Sequence, residues 1–173
     1  MDTPHTPDAV AAIRAQWQRE RPDLDTRHMA IICRLGRCSI QLQKRLNDTF
    51  GQYGISNWEF DVLATLRRSG APYCLAPTAL FSSLMLSSGT MTRQLQLLAE
   101  RGLVSRLPNP DDARSLLVQL TPQGLDLVNE VVAAHVDNMA RILAPLDASQ
   151  LDALDASMSA LLAILEPATK AGR

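Results

Sequence analysis

Ser87 to Gly124 reads SSGTMTRQLQLLAERGLVSRLPNPDDARSLLVQLTPQG, and this stretch decides the fold. Ser87 or Ser88 offers a hydroxyl to the open amides of a first helical turn. Met91, Leu95 and Leu98, with Leu97 beside Leu98, form an apolar stripe at helical spacing. Arg101-Gly102 ends the helix, with a cation near its negative end and a residue free to take positive φ. A short strand, a polar turn around Asn109 to Arg114, a second strand and a new helix start at Thr121-Pro122 follow. Helix, stop and two-stranded wing make the outline of a winged helix, a module that sets one helix into the major groove of DNA. The helix face opposite the stripe carries Thr90, Arg93, Gln94 and Gln96, side chains that hydrogen-bond base edges or phosphates.

The ordered set GTMTR, ERGLV, DAR and LTPQG resembles the MarR family of transcriptional regulators, and the resemblance extends over nearly the whole chain. It rests on Asp112-Ala113-Arg114 followed by apolar residues into Leu120-Thr121 and Gly124. Family members often carry a basic residue where this chain has Ala113, and another near Gln119, so this wing is less cationic than usual. The resemblance implies a mainly α fold with a small two-stranded β-wing, flanked by N- and C-terminal dimerisation helices. The expected segments are 1–55 for the N-terminal helices, 56–121 for the winged DNA-binding module and 122–173 for the C-terminal helices. It also implies double-stranded DNA as a partner, a pseudo-palindromic operator bound by a homodimer. Ser88, Thr90, Thr92, Arg93, Gln94, Asp112 and Arg114 are the implied DNA-binding residues.

Composition agrees with a local DNA surface on a neutral protein. The 173 residues carry a formal net charge of −1, which excludes a broadly non-specific nucleic-acid binder. Residues 67–119 hold six arginines against Glu100, Asp111 and Asp112, net +3, whereas 120–173 hold three basic against seven acidic residues, net −4. Arginine, the better fork for phosphate or guanine, supplies fifteen of the seventeen basic side chains. The start, MDTPHTPDAV, shows no basic-then-apolar signal, and no apolar run approaches a membrane span. Three cysteines without metal spacing point to a reducing, cytoplasmic setting. His5, His28 and His135 have no metal-ligand partner at helical spacing, and no catalytic triad or phosphate loop stands out, so neither a metal, a cofactor nor an enzyme is expected.

Along the rest of the chain, helices are expected from Asp8 to about Glu20 and from a cap at Asp25 or Thr26 to about Gln52, broken by Gly51 and Gly54. Ser56-Asn57-Trp58-Glu59 reads as a capping box for a helix to about Arg68. Pro77 opens a short helix, Thr121-Pro122 a long one, and Ser149 a last one to about Leu165. The terminal helices and the one at 25–52 carry more apolar surface than a wing module covers, and two copies burying it together is the economical solution.

Trp17 lies in an added N-terminal helix before Glu20-Arg21-Pro22-Asp23-Leu24-Asp25, similar to the extension in the urate-responsive, PecS-like branch of the family. The resemblance implies an effector site at Trp17, Asp61, Arg93 and Arg106, the last at the end of the first wing strand. A flat anion such as a purine or an aromatic carboxylate would stack on the indole while a guanidinium takes its charge. The plain alternative makes Trp17 a packing anchor and Asp61 the partner of a core arginine. Two rival functions stand beside this one: a redox regulator switching at Cys33 or Cys38, and a helical dimerisation protein without DNA activity. For the cysteines, the role of a buried small hydrophobe is the favoured reading.

Overall fold

The structure, a computed structural model, describes residues 8–84, 88–110 and 115–166, with the side chains of 81, 83, 84 and 88–91 outside that description. The chain divides into two compact units, Met1–Asn57 and Trp58–Arg173.

The first unit holds α1 (Ala9–Glu20) and α2 (Arg27–Gln52). Asp8 caps α1 by accepting from the Ala11 amide at 2.8 Å, and the same carboxylate accepts from Arg34 Nε of α2 at 2.8 Å. Those bonds, the Arg34 bond first, hold the Asp8 carboxyl down to about 2. The connection between the helices is clasped twice. Arg21 forks onto Asp23 at 2.8 and 2.6 Å, and Arg27 reaches Asp25 at 2.6 Å. Asp25 also accepts from the Arg27 amide at 3.0 Å, while Thr26 makes no side-chain cap, so Asp25 is the capping side chain of the two candidates. α2 runs through Gly51 and stops at Gly54, which takes φ 64°. One glycine breaks the helix here, not two. Cys33 is half-buried but Cys38 is exposed, which corrects the expectation of a buried Cys38.

The second unit contains α3 (Asn57–Arg68), β1 (Cys74–Leu75), α4 (Pro77–Leu84), α5 (Ser88–Glu100), β2 (Val104–Pro108), β3 (Leu116–Leu120), α6 (Pro122–Leu143) and α7 (Ala148–Leu165). Its core joins Val62, Leu63 and Leu66 of α3, Leu80 of α4, Leu95 and Leu98 of α5, Val104, Val118 and Leu120 of the sheet, and Val128 of α6. Helical and strand periodicities thus deliver apolar side chains to one place. The sheet has three strands in the order β1-β3-β2, all antiparallel, with Val104 opposite Leu120 and Pro108 opposite Leu116. The expected two-stranded wing gains the edge strand β1, because Cys74 and Leu75 pair with Gln119 and Val118. Gln119 also donates to the Pro72 carbonyl at 2.9 Å. The Gln119 side chain thereby ties β3 to the Pro72 turn as a latch.

One junction explains why ERGLV and LTPQG go together. Gly102 takes φ 69° to end α5, and the Leu103 amide returns to the Leu98 carbonyl at 3.0 Å. Thr121 donates to the Gly102 carbonyl at 2.6 Å and accepts from the Gly124 amide at 3.0 Å, capping α6 while pinning it to the end of α5. A Cβ on Gly124 would lie 2.0 Å from the Leu103 carbonyl oxygen, so only glycine fits. The final helix starts one residue earlier than Ser149, where Asp147 and Gln150 form a reciprocal capping box. Among the described residues no helix is long and apolar enough to cross a membrane.

Candidate functional site

α5 buries Leu95 and Leu98, and this orients the rest of the helix. Arg93 falls opposite the stripe at 100° per residue and is exposed, as are Thr92, Gln96 and Glu100. Gln94 is half-buried on the flank, so the middle of the outward face is Arg93 with Gln96 rather than Arg93 with Gln94. Leu97, expected beside the apolar stripe, is instead 46% exposed. The side chains of Ser88 and Thr90 lie outside the described residues, as do Asp112 and Arg114 entirely. The base of their loop is described: Asn109 donates to Ser115 Oγ at 2.7 Å, and its amide to the Ser115 carbonyl at 3.3 Å.

Two contacts set how α5 is held within the unit. Arg101, just past its C-terminal end, donates to the Glu59 carboxylate in the first turn of α3. That carboxylate is 15% exposed, which shields the pair from solvent better than the other ion pairs of the chain's described residues. Arg106 lies in the middle of β2, not at its end as expected, and donates from Nη2 to the Thr92 carbonyl at 3.1 Å. The wing strand therefore braces the residue immediately before Arg93. Sequence reasoning had no signal for this bond, because a backbone acceptor fourteen residues away carries no side-chain signature.

Of the other expected effector residues, Trp17 is exposed on α1 of the first unit and Asp61 is half-buried on α3 of the second. Close to Asp61 lies His135 of α6, whose ring packs on Phe60 with centroids 4.9 Å apart. Burial lowers the His135 pKa, and the negative charge of Asp61 opposes that shift. Arg67 is held over the Tyr73 ring at 5.0 Å and donates to Asn129 at 2.8 Å, an architectural role. Burial pushes the Cys74 thiol up, which makes it a poor thiolate.

The MarR family model matches residues 55–116, the segment from α3 through α5 and β2 to the first residue of β3. The transcriptional regulator PecS of Dickeya dadantii is 43% identical over 136 residues, covering 79% of this chain and 82% of the relative. Among solved structures, a mutant MarR from E. coli complexed with operator DNA aligns with a TM-score of 0.68 and 27% identity, over 79% of this chain and 97% of that one. AbsC, a MarR family transcriptional regulator from Streptomyces coelicolor, shares the fold with a TM-score of 0.71 at 22% identity, over 82% and 95% of the two chains. The buried stripe and outward arginine of α5, the glycine-pinned junction and this similarity over most of the length agree: the chain belongs to the MarR family of winged-helix transcriptional regulators.

Proposed function

We propose that the protein acts as a homodimeric repressor that binds a pseudo-palindromic duplex and is released from it by a small planar anion. The observation that carries the DNA half is the exposed Arg93 on a helix braced by the wing through Arg106. The relative solved with operator DNA supports the same use of the module. In this reading Ser88, Thr90, Thr92, Arg93 and Gln94 work from α5 in the major groove, and Arg114, oriented by Asp112, works from the wing on phosphate or the minor groove. Half-site centres lie about one helical turn apart. Arg114→Ala is expected to weaken binding to all sequences and to lower the salt slope by about one per half-site. Fluorescence anisotropy against salt reads both, and an unchanged slope removes Arg114 from the DNA surface.

The effector half rests on Arg93 and Arg106, with Asp61 and Trp17 as the further residues. An anion that draws the Arg106 guanidinium away from its Nη2 bond to the Thr92 carbonyl would act on the segment that presents Arg93. Trp17 supplies a face for stacking a purine or an aromatic carboxylate. Titration with urate and a panel of aromatic acids tests this. Trp17→Phe is expected to leave operator affinity near wild type while reducing the ligand's power to release DNA. If the panel neither quenches indole emission nor changes operator affinity, the effector reading fails.

One observation favours a second reading. Cys38 is exposed on α2, where an oxidant has access. Loss of duplex binding on adding a hydroperoxide, restored by thiol and absent in Cys38→Ser, would replace the anion with a redox signal.

A further inference from the structure

Leu97 is the one large apolar side chain on the described outward face of α5. A single exposed leucine is ordinary on a protein surface. Its position gives it meaning. It follows Arg93 by four residues, so it sits one turn further along the same side of the helix. Beside it, Gln96 is exposed and its amide is oriented, with Nε2 donating to the Glu100 carboxylate at 3.0 Å. An amide held this way keeps its oxygen and one N–H for an outside partner. That acceptor-and-donor pair matches the N6 and N7 edge of adenine in the major groove, where thymine presents its C5-methyl group.

We propose that Leu97 and Gln96 form a reading patch for A·T pairs, Leu97 covering a thymine methyl and Gln96 pairing with an adenine edge. Glu100 is the positioning residue of this patch: it fixes which way the Gln96 amide points and does not itself touch the base. The inference rests on the DNA-binding reading above and extends it from affinity to sequence preference. Arg93 supplies charge to the face, whereas this neutral patch distinguishes one base pair from another.

The test begins by enriching duplexes from a random pool with the full-length chain. Each thymine of the enriched duplex is then replaced in turn by uracil, which lacks only the methyl group. One thymine in each half-site is expected to be sensitive, with about fourfold weaker binding for the loss of one buried methyl. Leu97→Ala is expected to bind the thymine and uracil forms equally. Gln96→Ala is expected to lose the A·T preference at a neighbouring pair with the salt slope unchanged, because no charge has been removed. Glu100→Ala is expected to weaken that same preference without touching the thymine position. If no thymine is sensitive in the wild-type scan, or Leu97→Ala keeps the full uracil penalty, the patch is overturned. The wild-type scan decides even if a variant fails to fold. Failure of the chain to enrich any duplex is a different result: it overturns the DNA-binding reading on which the patch depends.

Discussion

The winged core and α7 draw on the same leucine-rich composition, yet they end in opposite environments. Leu63, Leu66, Leu80 and Leu98 are wholly inaccessible, each surrounded by residues of several other elements. α7 has no buried residue at all and leaves Leu154, Met158, Leu162, Ile164 and Leu165 open to solvent. In the first unit α2 buries Ala30, Thr49 and Phe50 but exposes Ile31, Ile32 and Ile40 elsewhere on its surface. A helix with apolar surface and no buried face is built for a partner surface that its own unit lacks. The wing module is therefore stabilised by its own chain, whereas α7 and part of α2 leave apolar side chains open, which agrees with the homodimer typical of the family.

The comparison breaks most visibly if core and flank respond alike to mutation. Leu98→Ala is expected to cost about 2–5 kcal/mol of folding stability through the cavity it leaves. Urea unfolding of that variant should shift by the same amount at any protein concentration. A smaller effect on the fold, but a decisive one on assembly, is expected for Leu162→Glu on α7. Burying an unpaired carboxylate in an apolar seam is expected to remove at least about 2 kcal/mol of association free energy. Sedimentation would then find monomers at micromolar concentration with helix content retained. A persistent dimer moves the interface off α7.

Thr121→Ala tests the junction on the core side. Losing the cap of α6 and the bond to Gly102 should cost about 1 kcal/mol, read as a lower unfolding midpoint. Smaller still are two pH effects of known sign. His135 is held below its usual range by burial, so the unfolded chain takes up the proton first. Its contribution is complete above the ordinary histidine range and falls as pH drops through it. His135→Gln should flatten stability against pH there, and an unaltered profile would show that His135 is not buried in solution. Asp8 titrates at about 2 against an ordinary 3.8. Its cap and ion pair are complete above the higher value and disappear as pH falls through the lower one. Asp8 and its partner Arg34 are both open to solvent, so the loss should be confined to fraying of α1, visible as faster amide exchange at Ala11.

Much of this was legible in the residues. Gly102, Thr121-Pro122 and Gly124 declared the end of one helix and the start of another, because each satisfies a local backbone requirement. The stripe of Leu95 and Leu98 announced which side of α5 turns inward. Leu97 was not legible, since periodicity alone cannot tell whether a leucine at the edge of a stripe is covered. Cys74-Leu75 as a third strand was equally hidden: two residues have too little pattern to announce a strand, and only the proximity of β3 makes them one. The candidate site was readable for Arg93, whose place follows from helix geometry, and unreadable for the Arg106 bond.

What the sequence determined by itself was local and periodic: where helices start and stop, which faces are apolar, and a motif order specific enough to point to the family. What the tertiary structure alone decided was relational. It set Gln119 as a latch on Pro72, Glu59 as the anchor of Arg101, and Arg106 as a brace on the Thr92 carbonyl. It also left Leu97 uncovered while burying Leu95 and Leu98. The physical reason is that caps and stripes depend on residues within a turn or two of one another. A hydrogen bond or a covered surface depends on elements far apart in sequence, whose meeting is set by packing of the whole core.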